Sequence, residues 1–206
     1  MFADEFFLRR AVVLAGVLVY WGGVYVQARR VRKQIGRSPN MKPRTPKEKI
    51  LWLGWMLVVG GWIAIPLLAG KSKLGPLFQF HLLIPDALAT ALGITLTIAG
   101  YVCTLWCYAV MGSSWRICVN TREKNALVTR GPYRWMRHPI YSFQIVMLLG
   151  AVLLLPTIFT GLILAVHFVC TLIKATDEEK YLLTVHGDAY REFITKTGRL
   201  FPKLLP

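Results

Sequence analysis

Three residues of this chain have side chains that could form a site together: His138, Tyr141 and Glu178. An imidazole can hold or move a proton. A phenol donates a hydrogen bond, and a carboxylate binds a cation or accepts a proton. His138 and Tyr141 stand in "RHPIY" (Arg137–Tyr141), and Glu178 stands in "LIKATDEEKYLLTVHGDAYREF" (Leu172–Phe193). The two stretches are separated by His138–Ile173, 36 residues without one Asp, Glu, Lys or Arg. That run is long enough for two short helices folded about Pro156. A hairpin of that kind returns Glu178 to the neighbourhood of His138 and Tyr141.

The elements that must position these residues follow from local signals. Gly131-Pro132 marks a turn after "NALVTR", and Pro139 suits the first position of a helix, where its missing N–H costs nothing. His138 then falls near the N-cap, with the positive end of the helix facing anions. Arginines such as Arg134 and Arg137 also gather at interfaces simply to anchor a helix end. Thr176 followed by Glu179 fits a capping box, which predicts a new helix or a bend there. Leu182, Val185, Ala189 and Phe193 continue at helical spacing, with Gly187 as a bend, so an amphipathic helix on the bilayer surface is expected. Asp177, Glu178 and Glu179 would then complement the dipole of its first turn.

Composition sets the class. The 206 residues are 55% hydrophobic, with a mean hydropathy of +0.47. Further uncharged runs cover Ala11–Ala28, Ile50–Gly70 and Ala87–Trp115. About 20 residues of helix cross a hydrocarbon core, so five membrane helices are expected: 9–28, 50–69, 86–111, 140–155 and 157–175. The fold class is therefore all-α integral membrane, one domain over 1–206 with three N-terminal helices in 1–111. The first segment reads as a retained helix and not a cleaved leader.

The net charge of +15 is concentrated in 29–49, 112–139 and 174–206. Five passes put these three segments on one side, which the positive-inside rule makes cytoplasmic, with the N-terminus opposite. The loop 29–49 reads as a solvated linker. No aromatic-interleaved soluble module carries the basic residues, which argues against nucleic acid. Cys103, Cys107, Cys118 and Cys170 form no CxxC pair and read as free thiols, with no metal site. His167, alone inside a span, is expected to hydrogen-bond a neighbouring helix. Trp52, Trp55, Trp115 and Trp135 fall near predicted boundaries and read as interfacial anchors.

"ALVTRGPYRWM" before "RHPIY", together with "EEKYLLTVHGDAYREF" (Glu178–Phe193), resembles the isoprenylcysteine carboxyl methyltransferase family and its prokaryotic relatives over 112–203. The resemblance implies an integral-membrane enzyme using S-adenosyl-L-methionine without a Rossmann domain, with 112–206 as its donor-binding and catalytic region. It implies donor contacts at Asn125, Ala126, Leu127, Val128, Tyr133, His138, Pro139, Ile140, Tyr141 and Glu178. Asn120 matches an upstream glutamine of the family. Where the family has a substrate-binding arginine this chain has Lys174, which keeps the charge but loses the planar fork. Phe143 stands where the family often has glycine. Arg137 and Lys174 are expected to draw in an anionic substrate group.

The implied reaction is carboxyl O-methylation of an isoprenylcysteine-like acceptor, a lipid or a prenylated small molecule or protein. Phospholipid-type N-methylation is the alternative. An NADPH-dependent sterol reductase is disfavoured because Ile140 replaces an asparagine of the "RHxNY" type. A non-enzymatic membrane component would need polar residues within its spans, and the spans carry few.

Overall fold

The structure is a computed structural model that describes residues 2–36, 38, 43, 45–81, 84–115 and 126–203, with side chains from Phe6 onward. The described residues form six α-helices: α1 (Phe2–Ile35), α2 (Pro46–Leu68), α3 (Asp86–Met111), α4 (Pro139–Leu154), α5 (Ile158–His186) and α6 (Asp188–Lys196). Four of them, α1, α2, α3 and α5, are long and apolar enough to cross a membrane, and α4 is a shorter apolar helix. The protein is a multi-pass membrane protein.

α4 is the hub. At 1.5 Å per residue its 16 residues span only about 24 Å, short of a hydrocarbon core of about 30 Å. It is nonetheless wrapped on most sides: Met147, Leu148, Ala151 and Leu154 are buried against Val13, Val17, Tyr20, Val58, Trp62 and Ile163. Lipid is as apolar as these side chains, so close packing and internal hydrogen bonds carry the association. Along α3 and α4 the means is glycine. A Cβ at Gly100 would stand 2.8 Å from the Phe143 carbonyl oxygen, and one at Gly150 would stand 2.8 Å from that of Gly93. The two backbones approach so closely only because neither position has a side chain.

Several boundaries differ from expectation. α1 does not stop at 28 but runs on through Arg29–Lys33, since no residue there breaks a helix. It ends at Gly36, whose φ of +72° turns the chain while its N–H bonds the Arg32 carbonyl at 3.0 Å. Arg9 and Arg10 are helical too, and they staple the opposite end of the bundle. Arg9 donates to the Asp86 carboxylate at 2.9 Å, and Arg10 donates to the Ala69 carbonyl at 2.7 Å.

The expected capping box at Thr176 is absent because α5 passes straight through it. The Thr176 hydroxyl donates to the Leu172 carbonyl one turn back at 2.8 Å. A genuine box lies at Thr45, whose hydroxyl accepts from Glu48 N–H at 3.1 Å while the Glu48 carboxylate accepts from Thr45 N–H at 3.1 Å. Thr45 precedes Pro46, which disfavours helix before it, whereas Thr176 follows an unbroken helical run. The predicted surface helix is therefore divided. Its first half is the end of α5, and Gly187 (φ +52°) then turns the chain into α6, which buries Tyr190 and Phe193.

After α6 the chain returns as a strap beside the start of α4. Gly198 N–H bonds the Trp135 carbonyl at 3.1 Å, and the Arg137 and His138 N–H groups bond the Gly198 and Arg199 carbonyls at 2.9 and 3.0 Å. The Ser142 hydroxyl also reaches the Leu200 carbonyl. This strap covers part of the helix mouth that was expected to face anions.

Candidate active site

Where α4 begins and α5 ends, the two stretches of chain meet. Both helices leave the turn at Leu155–Thr157 and run side by side, so their far ends are neighbours. The Tyr141 hydroxyl donates to the Glu178 carboxylate at 2.9 Å. His138 Nδ1 lies 3.4 Å from the other Glu178 oxygen, and the His138 and Tyr141 rings stack with centroids 5.8 Å apart.

His138 also faces a second acid, since its Nε2 lies 3.3 Å from Glu179. A ring with a carboxylate at each nitrogen donates from both, which is the imidazolium form. Burial acts to lower the His138 pKa, but the hydrogen bonds and charges of Glu178 and Glu179 outweigh it and raise the value above its usual 6.5. Tyr133, just before this segment, is pushed well up by burial and by the charges around it, so its phenol stays protonated.

Glu179 is the residue that sequence reasoning misplaced. It is buried, with its carboxylate gripped by Arg137 Nε at 2.7 Å and by Arg199 at 3.1 and 2.7 Å. Arg137 spends a further N–H group on the Ile194 and Thr197 carbonyls. Arg137 touches the cavity wall, yet its guanidinium is engaged in tying the C-terminal strap to α5. Its expected part as an attractor of substrate anions would have to share the guanidinium with those bonds. Burial also pushes the Tyr190 phenol above its usual range.

A cavity of about 480 Å³ opens from this cluster, within the range of small-molecule sites. Of the residues expected to contact a donor, Ala126, Leu127, Val128, Tyr133, His138, Ile140, Tyr141 and Glu178 line it, as does Lys174. Pro139 does not line it; it starts α4. Asn125, Asn120 and Cys118 lie outside the described residues.

The opposite wall was not read from the sequence at all. Tyr20, Trp21 and Val24 of α1, Trp55, Met56 and Val59 of α2, and Tyr108 of α3 complete the enclosure. Trp55 is no mere interfacial anchor, because its ring meets Tyr141 at 6.2 Å and His167 at 5.0 Å. Trp115 is buried, at 4% exposure, against Tyr108. His167 pairs with Thr171 of its own helix at 3.5 Å, not with a neighbouring helix. Gln144 carried the one available signal: an amide in an apolar helix, one turn from Tyr141 and so on the same face. Cys107 and Cys170 are buried free thiols. Among the described residues no group of three or more His, Cys, Asp or Glu could hold a metal.

Residues 88–189 match a family model described as phospholipid methyltransferase, a family related to the isoprenylcysteine carboxyl methyltransferases. The chain is 28% identical over 175 residues to the nickel-cobalt-cadmium resistance protein NccN of Alcaligenes xylosoxydans xylosoxydans, covering 82% of this chain and 75% of that protein. It is 27% identical over 150 residues to the cobalt-zinc-cadmium resistance protein CzcN of Cupriavidus metallidurans, covering 73% and 62%. The family match spans α3 to α5 and every described residue of the cluster, and it leaves out α1, α2 and the strap. With its apolar helices and that match, the chain reads as a membrane protein whose site-bearing half supports methyltransferase activity.

Proposed function

We propose that this protein transfers the methyl group of S-adenosyl-L-methionine to a lipophilic acceptor, by O-methylation of a carboxylate of the isoprenylcysteine kind. The observation that carries the reading is the single cavity joining the Glu178–His138–Tyr141 cluster to an apolar wall built from α1 and α2.

The residues present suit the donor. A sulfonium and an amino group are cations, and Glu178 is an acid on the cavity wall whose oxygens are oriented by Tyr141 and His138. In a site with little water its charge counts for more than at a surface. Tyr141, Tyr133 and the backbone at Ala126–Val128 supply hydrogen-bonding groups for a carboxylate, a ribose and a base, while His138 holds Glu178 beside them and Ile140 closes the wall. When bound, S-adenosyl-L-methionine supplies an electrophilic methyl carbon, and an ionised carboxylate attacks such a carbon without needing a base.

The chain's own work is to position the two partners and keep water out. Lys174, one turn before Glu178 on α5 and on the cavity wall, holds the acceptor carboxylate in this reading. Trp55, Ile140, Leu182 and Val185 form the apolar enclosure. His138, Tyr141 and Glu178 touch the donor in this reading and are its catalytic residues. By the positive-inside rule the cluster opens to the cytoplasm, where the donor is made available.

The family match favours a second reading, methylation of a phospholipid amine. An amine must shed a proton first, and Glu178 is the acceptor within reach. The names of the two relatives concern metal resistance; here a link to resistance would run through the methylated acceptor. Calorimetry in detergent with S-adenosylhomocysteine, against NADPH, tests the donor. Binding of the former and its loss in Glu178→Ala is expected; binding of NADPH alone would end the proposal. Labelled-methyl incorporation into a base-labile ester, against a lipid amine, separates the two acceptors.

A further inference from the structure

Beyond the donor cluster, the cavity has a second polar station that methyl transfer itself does not use. Gln144 lies one turn deeper along α4 than Tyr141, about 4.5 Å by helical rise. It is buried, at 9% exposure, and lines the cavity. One of its amide atoms hydrogen-bonds the Tyr20 hydroxyl, and Tyr20 is in turn hydrogen-bonded to Tyr108. The other amide atom, Oε1, is buried without a partner. Turning the amide over exchanges the two atoms, but one of them still lacks a partner.

Trp21 adds a second such atom. Its indole Nε1 is also buried without a partner, on the wall of the same cavity. A buried polar atom left unmade costs free energy comparable to a lost hydrogen bond. A third, the Tyr190 hydroxyl, belongs to the charged end of the cavity near Arg137 and Glu179, while Gln144 Oε1 and Trp21 Nε1 lie away from it and point to a ligand that supplies what they lack.

The charge pattern says what kind of ligand. The wall residues that carry a charge or an imidazole, Arg137, His138, Lys174, Glu178 and His186, all lie where α4 begins or α5 ends. The wall that α1 and α2 supply, which Gln144 meets at Tyr20, has no ionic residue. A phosphodiester taken there would be desolvated with no cation beside it, which is costly. An uncharged group that both donates and accepts would instead satisfy both orphan atoms.

We propose that Gln144 and Trp21 form a subsite for a neutral hydrogen-bonding group, an amide in the acceptor's polar part, carried on a hydrocarbon chain. This rests on reading the cavity as the acceptor's site and narrows the acceptor to a lipid with an amide close to the methylated atom. Gln144 is thus a specificity-determining residue and takes no part in the chemistry.

The test uses the full chain in lipid nanodiscs and probes that contain no atom to methylate. Binding of N-dodecylacetamide, dodecyl acetate and dodecylphosphocholine is followed by tryptophan fluorescence, each corrected for partition into protein-free discs. The ester matches the amide except for its N–H. An amide preference of about tenfold over the ester is expected, the effect of one buried hydrogen bond with its unmade penalty. In Gln144→Leu that preference should fall to within about twofold. Trp21→Phe, which serves if Gln144→Leu does not fold, should weaken amide and ester equally. Equal binding of amide and ester by the unmodified protein would overturn the proposal. So would a preference that survives Gln144→Leu, or dodecylphosphocholine binding as tightly as the amide. Donor binding is read separately with S-adenosylhomocysteine, so this inference and the methyl-transfer reading can fail independently.

Discussion

Asp177, Glu178 and Glu179 are consecutive on α5 and meet entirely different company. Successive helical residues are turned about 100° apart, so three neighbours point in three directions. Asp177 points outward to Lys47, at 2.6 Å, with both side chains well exposed. Glu178 turns to the cavity, where an imidazole and a phenol hold it. Glu179 turns to the strap, where two guanidiniums close on it with the imidazole behind. The same functional group is a surface charge, a cavity-wall residue and a clamp within one turn. What separates them is burial and partner: an exposed pair is worth little, while a buried acid surrounded by cations holds elements together.

The sharpest test of that contrast is Glu179→Ala. It leaves Arg137, whose side chain is 9% exposed, without its carboxylate, and breaking a buried pair costs about 3–5 kcal/mol. A large fall in thermal stability is expected, along with tryptic cleavage at Arg199 as the strap comes loose. Glu178→Ala should do the reverse, holding most of the stability while S-adenosylhomocysteine binding falls about 100-fold, as for truncation of a buried charged partner. If the two phenotypes were exchanged, the assignment of clamp and site would be wrong.

Gly198→Ala probes the clamp without touching a charge. Its Cβ would stand 1.7 Å from the Phe201 carbonyl oxygen, so the strap must move. A loss of about 1–3 kcal/mol, typical of overpacking, should appear with the same tryptic sensitivity. A neutral result would mean that the strap is not held where it lies against α4.

His138 bridges the two networks and should give them a pH dependence. Its folded pKa is raised, burial being outweighed by Glu178 and Glu179. The stabilisation is therefore fully present below its ordinary value of about 6.5 and is lost as the pH rises through the raised value. Thermal stability followed from pH 6 upward should fall, and His138→Gln should flatten that part of the profile. Lys47→Ala, on the exposed face, should cost less than about 1 kcal/mol in the same measurement and leave donor binding unchanged.

Much of the site was legible because it depends on chain direction. Two apolar runs about Pro156 make a hairpin whatever their detailed packing, and a hairpin returns Lys174–Glu179 to Arg137–Tyr141. The boundaries misread were those where one motif has two meanings. T-x-x-E at Thr45 caps a helix and at Thr176 lies inside one, because only the first has a proline at the next position. The strap was invisible for another reason: backbone hydrogen bonds such as Gly198 N–H to Trp135 leave no trace in residue type. Gln144 was visible as an amide in an apolar helix, but the sequence could not say that Tyr20 faces it from 124 residues away.

Hydropathy, charge and the paired motifs by themselves determined an all-helical membrane protein with an acid, an imidazole and a phenol at one end of a hairpin. Those properties follow from chain order and from the cost of placing polar groups in lipid. Which acid faces the cavity, which one ties down the strap, and what lines the far wall were decided only in three dimensions. They depend on rotation about a helix axis and on contacts between distant segments, and linear order carries neither.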